Sequence, residues 1–276
     1  MNQPFLAAGL LAALLAAAPL PAQAVKLSSA EPLPVNAKVP DDPEILKVIE
    51  PAQKEIVKTF DQPLVEAPKG LFKGRGTDEN LLGYWVADEM RRRATLASGT
   101  EVAFAFTNRG GLRANLRAGM LKVGDIFELM PFENELVVVE LTGAEVIQVV
   151  QSGVLRRGGE PISGVRVSVK GPAEKPAITV TWADGSPIDP KATVKAASTD
   201  YLLGGGDGYK SLREGRRPFT TGLLLRQVLL DACTDLAKQK LALLPPAPGR
   251  YVFESGELQQ AILDKKPAPP AKEGAK

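Results

Sequence analysis

Residues 101–113 read EVAFAFTNRGGLR, a short apolar alternation that runs directly into a turn containing two glycines and two arginines. Within it Val102, Phe104 and Phe106 alternate with alanines, a period of two that predicts a β-strand over residues 101–107. We expect these three side chains to share one face of the strand and the alanines to lie on the other. The sequence therefore predicts a polar turn at the end of a buried strand.

The turn that follows the strand carries residues suited to a ligand site. It begins at Asn108 and contains Gly110 and Gly111, and glycine tolerates positive φ and lets a ligand approach the main chain closely. Arg113 stands just beyond, and its planar guanidinium can bind a phosphate or ribose oxygen. The alternative is an ordinary tight turn in which Arg113 forms a surface ion pair.

A second glycine-rich loop follows the predicted strand at residues 193–198 and reads YLLGGGDGYKS over residues 201–211. Gly205 and Gly206 offer the same backbone freedom, and Asp207 taken by itself is a turn residue. Neither loop matches a Walker phosphate-binding loop or the GxGxxG dinucleotide fingerprint. Taken singly, each loop is compatible with a ligand site or with a simple turn.

The remaining periodicities mix helices with strands. Asp42 and Pro43 form a helix start, with a break or kink at Pro51, and Asp184-Gly185 is typical of a hairpin turn. Because antiparallel hairpins interrupt the alternation, we expect an α+β fold with a mixed β-sheet and packed helices, rather than a doubly wound sheet. The predicted helices cover 43–60, 79–98, 142–153 and 223–240, and the further strands 135–141, 164–171, 177–188 and 193–198.

Composition excludes whole classes of mechanism. The 276 residues contain 34 Lys and Arg against 32 Asp and Glu, a net charge of +2 that gives no indication of a nucleic-acid partner. The absence of histidine excludes Ser-His-Asp and Cys-His hydrolases and zinc sites that need histidine. The single cysteine, Cys233, excludes Cys₄ zinc sites, iron–sulfur clusters and intramolecular disulfides. Its position on an apolar helix face predicts a small buried side chain.

The N-terminal segment predicts export. Residues 5–24 form an apolar run ending in Ala22-Gln23-Ala24, the layout of a signal peptide cleaved after Ala24. A membrane anchor is the alternative, but Pro19 and Pro21 argue against it, so we expect a periplasmic or secreted protein without a stable membrane anchor. We expect a signal peptide at 1–24, a linker at 25–41, one domain at 42–264 and a disordered tail rich in Pro, Ala and Lys at 265–276.

Four motifs in order carry a resemblance to a known family. They are ENLLGYWVADEM at 79–90, NRGGLR at 108–113, KVGDIFELMPFENELVVVELTGAEV at 122–146 and YLLGGGDGYKS at 201–211. Together they resemble the C-terminal, substrate-binding domain of the 5′-nucleotidase family. The resemblance implies an α+β fold and a nucleoside or nucleotide ligand.

The resemblance also implies roles for five side chains. Phe132 and Tyr201 match the two aromatic residues that stack on the base, and aromatic stacking suits any nucleobase. Asp207 matches the acceptor for the ribose hydroxyls, while Asn108 and Arg113 match residues that face the nucleoside and the phosphate. The alternative is that Phe132 and Tyr201 are core residues.

The chain departs from the family pattern at the start of the 79–90 motif. Asp78 stands where the family usually places an arginine, and Leu81 and Tyr84 replace two asparagines. Arg75 lies three residues before Asp78 and could substitute only with a different spacing. The resemblance therefore preserves the nucleoside end of the pocket better than the phosphate end.

In the family that the chain resembles, hydrolysis belongs to a separate metallophosphoesterase domain, where two metal ions are held by Asp, Asn and His. Because the chain has no histidine, we expect no catalytic residue and no metal ligand in it, with divalent metals supplied only through a partner chain. Three hypotheses follow, in this order. They are the substrate-binding half of a split nucleotide phosphohydrolase, a stand-alone extracytoplasmic nucleoside or nucleotide binder, and an interaction domain with a decayed pocket.

Overall fold

The structure, a computed structural model, describes residues 36, 39–74, 76–212 and 218–265. The predicted signal peptide, most of the predicted linker, Arg75 and the predicted tail beyond Lys265 lie outside the described residues. The division into domains made from the sequence stays a prediction.

Helix α1 (Pro43–Phe60) contains the boundary between two compact units, Met1–Ile49 and Glu50–Lys276. In the first unit, Asp42 begins the helix as predicted, because its Oδ1 accepts hydrogen bonds from the backbone N–H groups of Glu44 at 2.8 Å and Ile45 at 3.4 Å. The helix also continues through Pro51 without the break that its sequence suggested.

The second unit contains the remaining elements. Its helices are α2 (Leu81–Ser98), α3 (Val123–Leu129), α4 (Gly143–Arg157), α5 (Asp200–Leu203), α6 (Leu225–Lys238) and α7 (Gly256–Leu263). Its strands are β1 (Pro63–Ala67), β2 (Phe104–Phe106), β3 (Gly119–Lys122), β4 (Glu135–Thr142), β5 (Ile162–Ser163), β6 (Val165–Lys170), β7 (Ala177–Trp182), β8 (Thr193–Thr199), β9 (Phe219–Leu224) and β10 (Tyr251–Phe253).

A five-stranded sheet in the order β5-β2-β8-β4-β9 forms the centre of this unit. Strands β2 and β8 are parallel, whereas β5 pairs antiparallel with β2, and β4 pairs antiparallel with both β8 and β9. A second sheet, β10-β6-β7, has one parallel and one antiparallel pair, and β1 pairs with β3. The predicted α+β fold with a mixed sheet is confirmed.

Strand β4 is buried on both faces and divides the core into two apolar clusters. Leu136 and Val138 belong to the cluster that contains buried side chains of α2, α3 and α6. Val137, Val139 and Leu141 point the other way, into the cluster that contains buried side chains of α4 and β6. Helices cover one face of β4, and a helix and the second sheet cover the other. This burial on both faces explains why the sequence ELVVVEL is a nearly continuous run of apolar residues.

The structure of strand β2 corrects the prediction that Val102 shares one face with Phe104 and Phe106. Phe104 and Phe106 pack in the same cluster as α4, as expected, and Ala105 lies in the other. Val102, however, belongs to the cluster of Ala105, so the prediction that it shares the phenylalanine face is wrong. The strand begins only at Phe104, and the N–H of Val102 bonds instead to Thr95 Oγ1 at 3.1 Å, so the alternation does not extend back to it.

Local hydrogen bonds fix where α4 begins and ends. Thr142 closes β4 and starts the helix with a reciprocal pair: its Oγ1 accepts from Glu145 N at 3.3 Å, and Glu145 Oε2 accepts from Thr142 N at 2.8 Å. Gly158 ends the helix in the left-handed conformation, with φ of 71°. These two ends hold Arg157, the last residue of α4, at a defined position.

Helix α6 begins two residues later than its sequence suggested. Leu223 and Leu224 extend β9, where Leu224 pairs with Glu135, so the helix starts at Leu225. Cys233 on this helix is buried, as expected, and burial raises the pKa of its thiol to about 12.

The topology brings three chain segments to one edge of the central sheet. The carboxyl ends of the parallel strands β2 and β8 meet there, and the antiparallel β4 begins at the same edge. Asp200 joins two of the segments, because its Oδ1 accepts from Glu135 N at 3.0 Å and from Tyr201 N at 2.8 Å. Both glycine loops and the segment before β4 therefore lie together.

Gly164 should tolerate a side chain poorly. Its φ is +91°, and an added Cβ would collide with the carbonyl oxygen of Ala103. Gly185, in the turn after β7, has φ of +90° but nothing within 4 Å of an added Cβ. We expect Gly185→Ala to cost about 1–2 kcal/mol of unfolding free energy, and Gly164→Ala to cost about 1–3 kcal/mol more because it also overpacks the backbone. Urea unfolding of both variants measures the difference, and equal losses would contradict this packing.

Candidate functional site

A cavity of about 330 Å³ opens at the edge of the central sheet described above. It contains all five side chains that the sequence singled out, together with two glycines of the first loop and two residues that sequence reasoning missed. Its lining residues are Asn108, Gly110, Gly111, Arg113, Phe132, Asn134, Arg157, Tyr201 and Asp207. Gly205 and Gly206, which were also predicted, do not line it.

The carboxylate of Asp207 joins side chains from three parts of the chain. Asn108 Nδ2 donates to its Oδ2 at 2.8 Å, and the Tyr201 hydroxyl donates to its Oδ1 at 3.1 Å. Arg157 Nη2 lies 3.5 Å from the same Oδ1, and the Arg156 guanidinium donates to the backbone carbonyl of Asp207. Asp207 itself has φ of 49°, a left-handed conformation that costs free energy in a non-glycine residue. These bonds hold its carboxylate in the cavity.

Phe132 and Tyr201 lie at the rim of the cavity and are not core residues. Each has 45% of its surface exposed, so the alternative that they are packed inside the domain is wrong. Tyr201 is held over Gly206, where an added Cβ would lie 2.6 Å from two ring atoms. Partial burial, followed by the charge of Asp207 and its hydrogen bond, raises the pKa of the Tyr201 hydroxyl. Gly206 therefore acts on the cavity indirectly, by leaving space for the ring.

The first glycine loop positions the polar groups of the cavity. Residues Arg109–Gly111 form a 3₁₀ turn directly after β2, and Asn108 precedes it with only 7% of its surface exposed. An added Cβ on Gly111 would lie 2.9 Å from Asn108 Oδ1, so a glycine is needed beside this amide. Arg113 remains exposed, and its Nη1 donates to the carbonyl oxygen of Gly110 at 3.2 Å.

A buried carboxylate, Glu160, lies behind the cavity. It is 5% exposed, and its Oε2 accepts from the backbone N–H of Arg109 at 2.6 Å. Its Oε1 lies 3.6 Å from Arg157 Nε, so Arg157 extends between Glu160 and Asp207. Burial raises the pKa of Glu160 to about 7, although the Arg109 hydrogen bond and the Arg157 charge oppose this change. No motif marks Arg157 or Glu160 in the sequence: Arg157 is the last residue of α4, and Glu160 comes two residues after the capping Gly158.

Two of the residues that depart from the family pattern, Asp78 and Tyr84, lie around a second, smaller cavity of about 140 Å³, whereas Leu81 does not line it. Asp78, Glu79 and Tyr84 line it, together with Arg157 and Glu160. Tyr84 is buried, and its hydroxyl donates to Glu79 Oε1 at 3.2 Å. Asp78 is thus not among the residues that line the larger cavity.

The residues that the structure describes do not fit a two-metal centre. The chain has no histidine, and Cys233 is buried in the core. Within the described part of the chain, no group of three or more Asp, Glu or Cys side chains is arranged to hold a metal ion.

Comparison with known proteins gives the family. Residues 65–214 match the family described as 5′-nucleotidase, C-terminal domain, and this stretch includes every residue that lines the larger cavity. The chain belongs to this family.

Among its relatives are proteins named for nucleotide chemistry. The chain is 26% identical over 222 residues to trifunctional nucleotide phosphoesterase protein YfkN of Bacillus subtilis, covering 75% of this chain and 15% of that protein. It is 32% identical over 149 residues to cell wall protein Lmo0130 of Listeria monocytogenes, covering 49% of this chain and 19% of that protein. A solved 5′-nucleotidase precursor from Thermus thermophilus superposes with a TM-score of 0.64 and 26% identity, covering 78% of this chain and 44% of that one.

This 5′-nucleotidase C-terminal domain therefore spans less than half the length of each of these relatives. None of the helices that the structure describes is long and apolar enough to cross a membrane.

Glu160 should make the stability of the domain depend on pH. The pKa of Glu160 rises from an ordinary 4.5 to about 7 on folding, because the folded state favours the neutral carboxyl group. The stabilising contribution of Glu160 to folding is therefore fully present below pH 4.5 and is lost as the pH rises through 7. Glu160→Gln removes this loss. We expect the free energy of unfolding of the variant, minus that of the wild type, to increase by up to about 3 kcal/mol as the pH is raised from 5 to 8. Denaturant unfolding at both pH values measures this gain.

Glu174 is exposed and provides the matched control, since Glu174→Gln should leave the pH dependence of unfolding as in the wild type. A constant difference between Glu160→Gln and the wild type across this pH range would refute the raised pKa.

Proposed function

We propose that this domain binds a nucleoside or nucleotide in the larger cavity, as the substrate-binding half of a nucleotide phosphohydrolase. The observation that carries the proposal is the convergence of two exposed aromatic rings, Phe132 and Tyr201, on a cavity whose polar groups include a fixed carboxylate. Exposed aromatic rings beside polar groups are what stacking on a base and hydrogen bonding to a sugar require.

In this proposal the base lies against Phe132 and Tyr201, and the ribose faces Asp207. A carboxylate can accept about four hydrogen bonds, one at each lone-pair site. The Asp207 carboxylate accepts one from Asn108 and one from Tyr201. Capacity therefore remains for ribose hydroxyl groups. Because Asn108 and Arg157 hold the carboxylate in place, the ligand does not have to order it.

The hydrolytic step would need groups from outside these 276 residues. We propose a separate metallophosphoesterase chain as the source of the divalent metals, since the described residues do not fit a metal centre. The proposal includes export to the periplasm or the outside of the cell. The apolar segment 5–24 supports export, and so does the relative that is named a cell wall protein.

A stand-alone nucleoside or nucleotide binder is the second candidate. Asp78, Leu81 and Tyr84 favour it, because they replace the arginine and the two asparagines that the family pattern has at these positions. It differs from the first candidate only in having no catalytic partner.

Removing either aromatic ring should weaken nucleoside binding. We expect Phe132→Ala and Tyr201→Ala each to raise the Kd for adenosine about 5- to 150-fold, since one stacking contact contributes about 1–3 kcal/mol. Isothermal titration calorimetry measures the Kd values. Phe219 is exposed to a similar extent on β9, so Phe219→Ala is the control and should bind as the wild type does. Unchanged affinity in both ring variants would exclude this cavity as the base site.

The 276-residue chain should not hydrolyse nucleotides by itself. We expect no phosphate release from AMP in the presence of Mn²⁺, Co²⁺ or Zn²⁺, because the chain has no histidine and the described residues include no group of three or more Asp, Glu or Cys side chains placed to hold a metal ion. A phosphate-release assay with and without an exported metallophosphoesterase from the same genome separates the two candidates. Activity that appears only in the mixture supports the split enzyme, whereas activity of the purified chain alone would overturn both candidates.

A further inference from the structure

We propose that Arg156 is a positioning residue that holds Asp207 in the conformation needed to receive ribose hydroxyl groups. In this way Arg156 makes the larger cavity prefer ribonucleosides to nucleosides that lack those hydroxyls. The inference rests on the proposed function, because it names a residue on which the selectivity of the same cavity depends. Arg156 belongs to the last turn of α4 and does not line the larger cavity. It therefore acts on the ligand only through the loop that carries Asp207.

The backbone of Asp207 needs support to keep its conformation. Asp207 has φ of 49°, a left-handed conformation that is unfavourable for a residue with a side chain, and the next residue, Gly208, has φ of +81°. Two consecutive residues with positive φ turn the chain sharply, so the direction of the carboxylate depends on this turn. Hydrogen bonds from Asn108 and Tyr201 hold the carboxylate, but they do not hold the backbone.

The guanidinium group of Arg156 supplies a contact to that backbone. Its Nη1 donates to the carbonyl oxygen of Asp207, and its Nε donates to the carbonyl oxygen of Ser152 at 3.3 Å, one turn earlier in α4. One planar group thus links the helix to the loop. An arginine forms both bonds at once because its N–H donors point in fixed directions, whereas a lysine has a single nitrogen on a flexible stem.

The ring of Tyr209 supports the guanidinium group from one side. Arg156 Cζ lies 4.5 Å from the centroid of this ring, within the about 6 Å of a cation–π contact. Tyr209 is only 4% exposed, and its ring centroid lies 5.7 Å from that of Phe106 on β2. The position of Arg156 relative to the central sheet is therefore set by packing in the core.

Gly208 leaves the space that Arg156 occupies. A Cβ added to Gly208 would collide with Arg156 Nη1. Arg156, Gly208 and Tyr209 line a cavity of about 250 Å³ that shares no lining residue with the larger cavity. The arginine thus approaches the loop from outside the ligand cavity, and its contacts form without a ligand.

A role of the Arg156 charge alone is the alternative, because a positive charge attracts the carboxylate of Asp207 whatever its shape. The two roles differ in the effect of a lysine at this position. Lysine keeps the charge but loses the paired hydrogen bonds and the planar contact with Tyr209. Comparison of Arg156→Gln with Arg156→Lys therefore separates positioning from charge.

Calorimetric titration of the full chain with adenosine and with 2′,3′-dideoxyadenosine tests the assignment. We expect the wild type to bind adenosine at least about tenfold more tightly, since hydrogen bonds to a charged group are lost with the two hydroxyls. Both Arg156→Gln and Arg156→Lys should reduce this ratio to less than about threefold and leave the Kd for dideoxyadenosine within about threefold of the wild-type value. Arg166 on β6 is exposed, so Arg166→Gln is the matched control and should retain the ratio.

Amide hydrogen exchange tests the state of the loop without a ligand. The N–H of Tyr209 donates to the carbonyl oxygen of Gly206 at 3.1 Å and closes the turn around Asp207. We expect this amide to lose protection in Arg156→Gln and Arg156→Lys, because the loop opens more often. Its protection should remain at the wild-type level in Arg166→Gln.

The outcomes separate this inference from the proposed function. If the wild type binds neither nucleoside, the proposed function fails and the selectivity fails with it. If the wild type binds both nucleosides equally, nucleoside binding stands and only this inference is overturned.

Three further results would overturn the positioning role alone. They are a wild-type ratio in Arg156→Lys, an equal loss of affinity for both nucleosides in Arg156→Gln, and unchanged exchange of the Tyr209 amide in both variants. The first would show that charge is sufficient, and the second that Arg156 supports the fold in general. Should Arg156→Gln not fold, Arg156→Lys keeps the charge and the apolar stem and decides the question by the same two measurements.

Discussion

The arrangement of the candidate site depends on a single carboxylate in a strained loop. Asp207 has a positive φ, and it is held there by hydrogen bonds from Asn108 and Tyr201 and by the two arginines at the end of α4. These groups come from three segments of the chain: the loop after β2, the end of α4 and the loop after β8. The cavity is therefore a property of the assembled fold, since neither glycine loop could hold the carboxylate alone.

The sheet order makes this assembly possible. Parallel pairing of β2 and β8 places their carboxyl ends side by side, and antiparallel pairing of β4 brings the segment before it, with Phe132, to the same edge. Burial of β4 on both faces anchors that edge, because its alternate side chains belong to the two separate apolar clusters. Rigid strands thus support a site built almost entirely from loops, a common division of roles in proteins.

The fold class and the site residues that lie in motifs can be predicted from the sequence. Site residues that are brought to the cavity only by tertiary packing cannot. Asn108, Arg113, Phe132, Tyr201 and Asp207 were predicted together because each lies in a recognisable motif, and they do line one cavity. Arg157 and Glu160 could not be predicted, because their importance arises from the packing of the α4 end against the first glycine loop. Val102 was misplaced for a related reason: a hydrogen bond to Thr95 overrides the alternation before β2 begins.

Arg157 lies between two carboxylates, those of Glu160 and Asp207. A buried carboxylate is destabilising at neutral pH, as the raised pKa of Glu160 indicates, and a neutral side chain would avoid that cost. Arg157 Nε lies 3.6 Å from Glu160 Oε1 and Arg157 Nη2 lies 3.5 Å from Asp207 Oδ1, so one positive charge is shared between two carboxylates and neutralises neither completely.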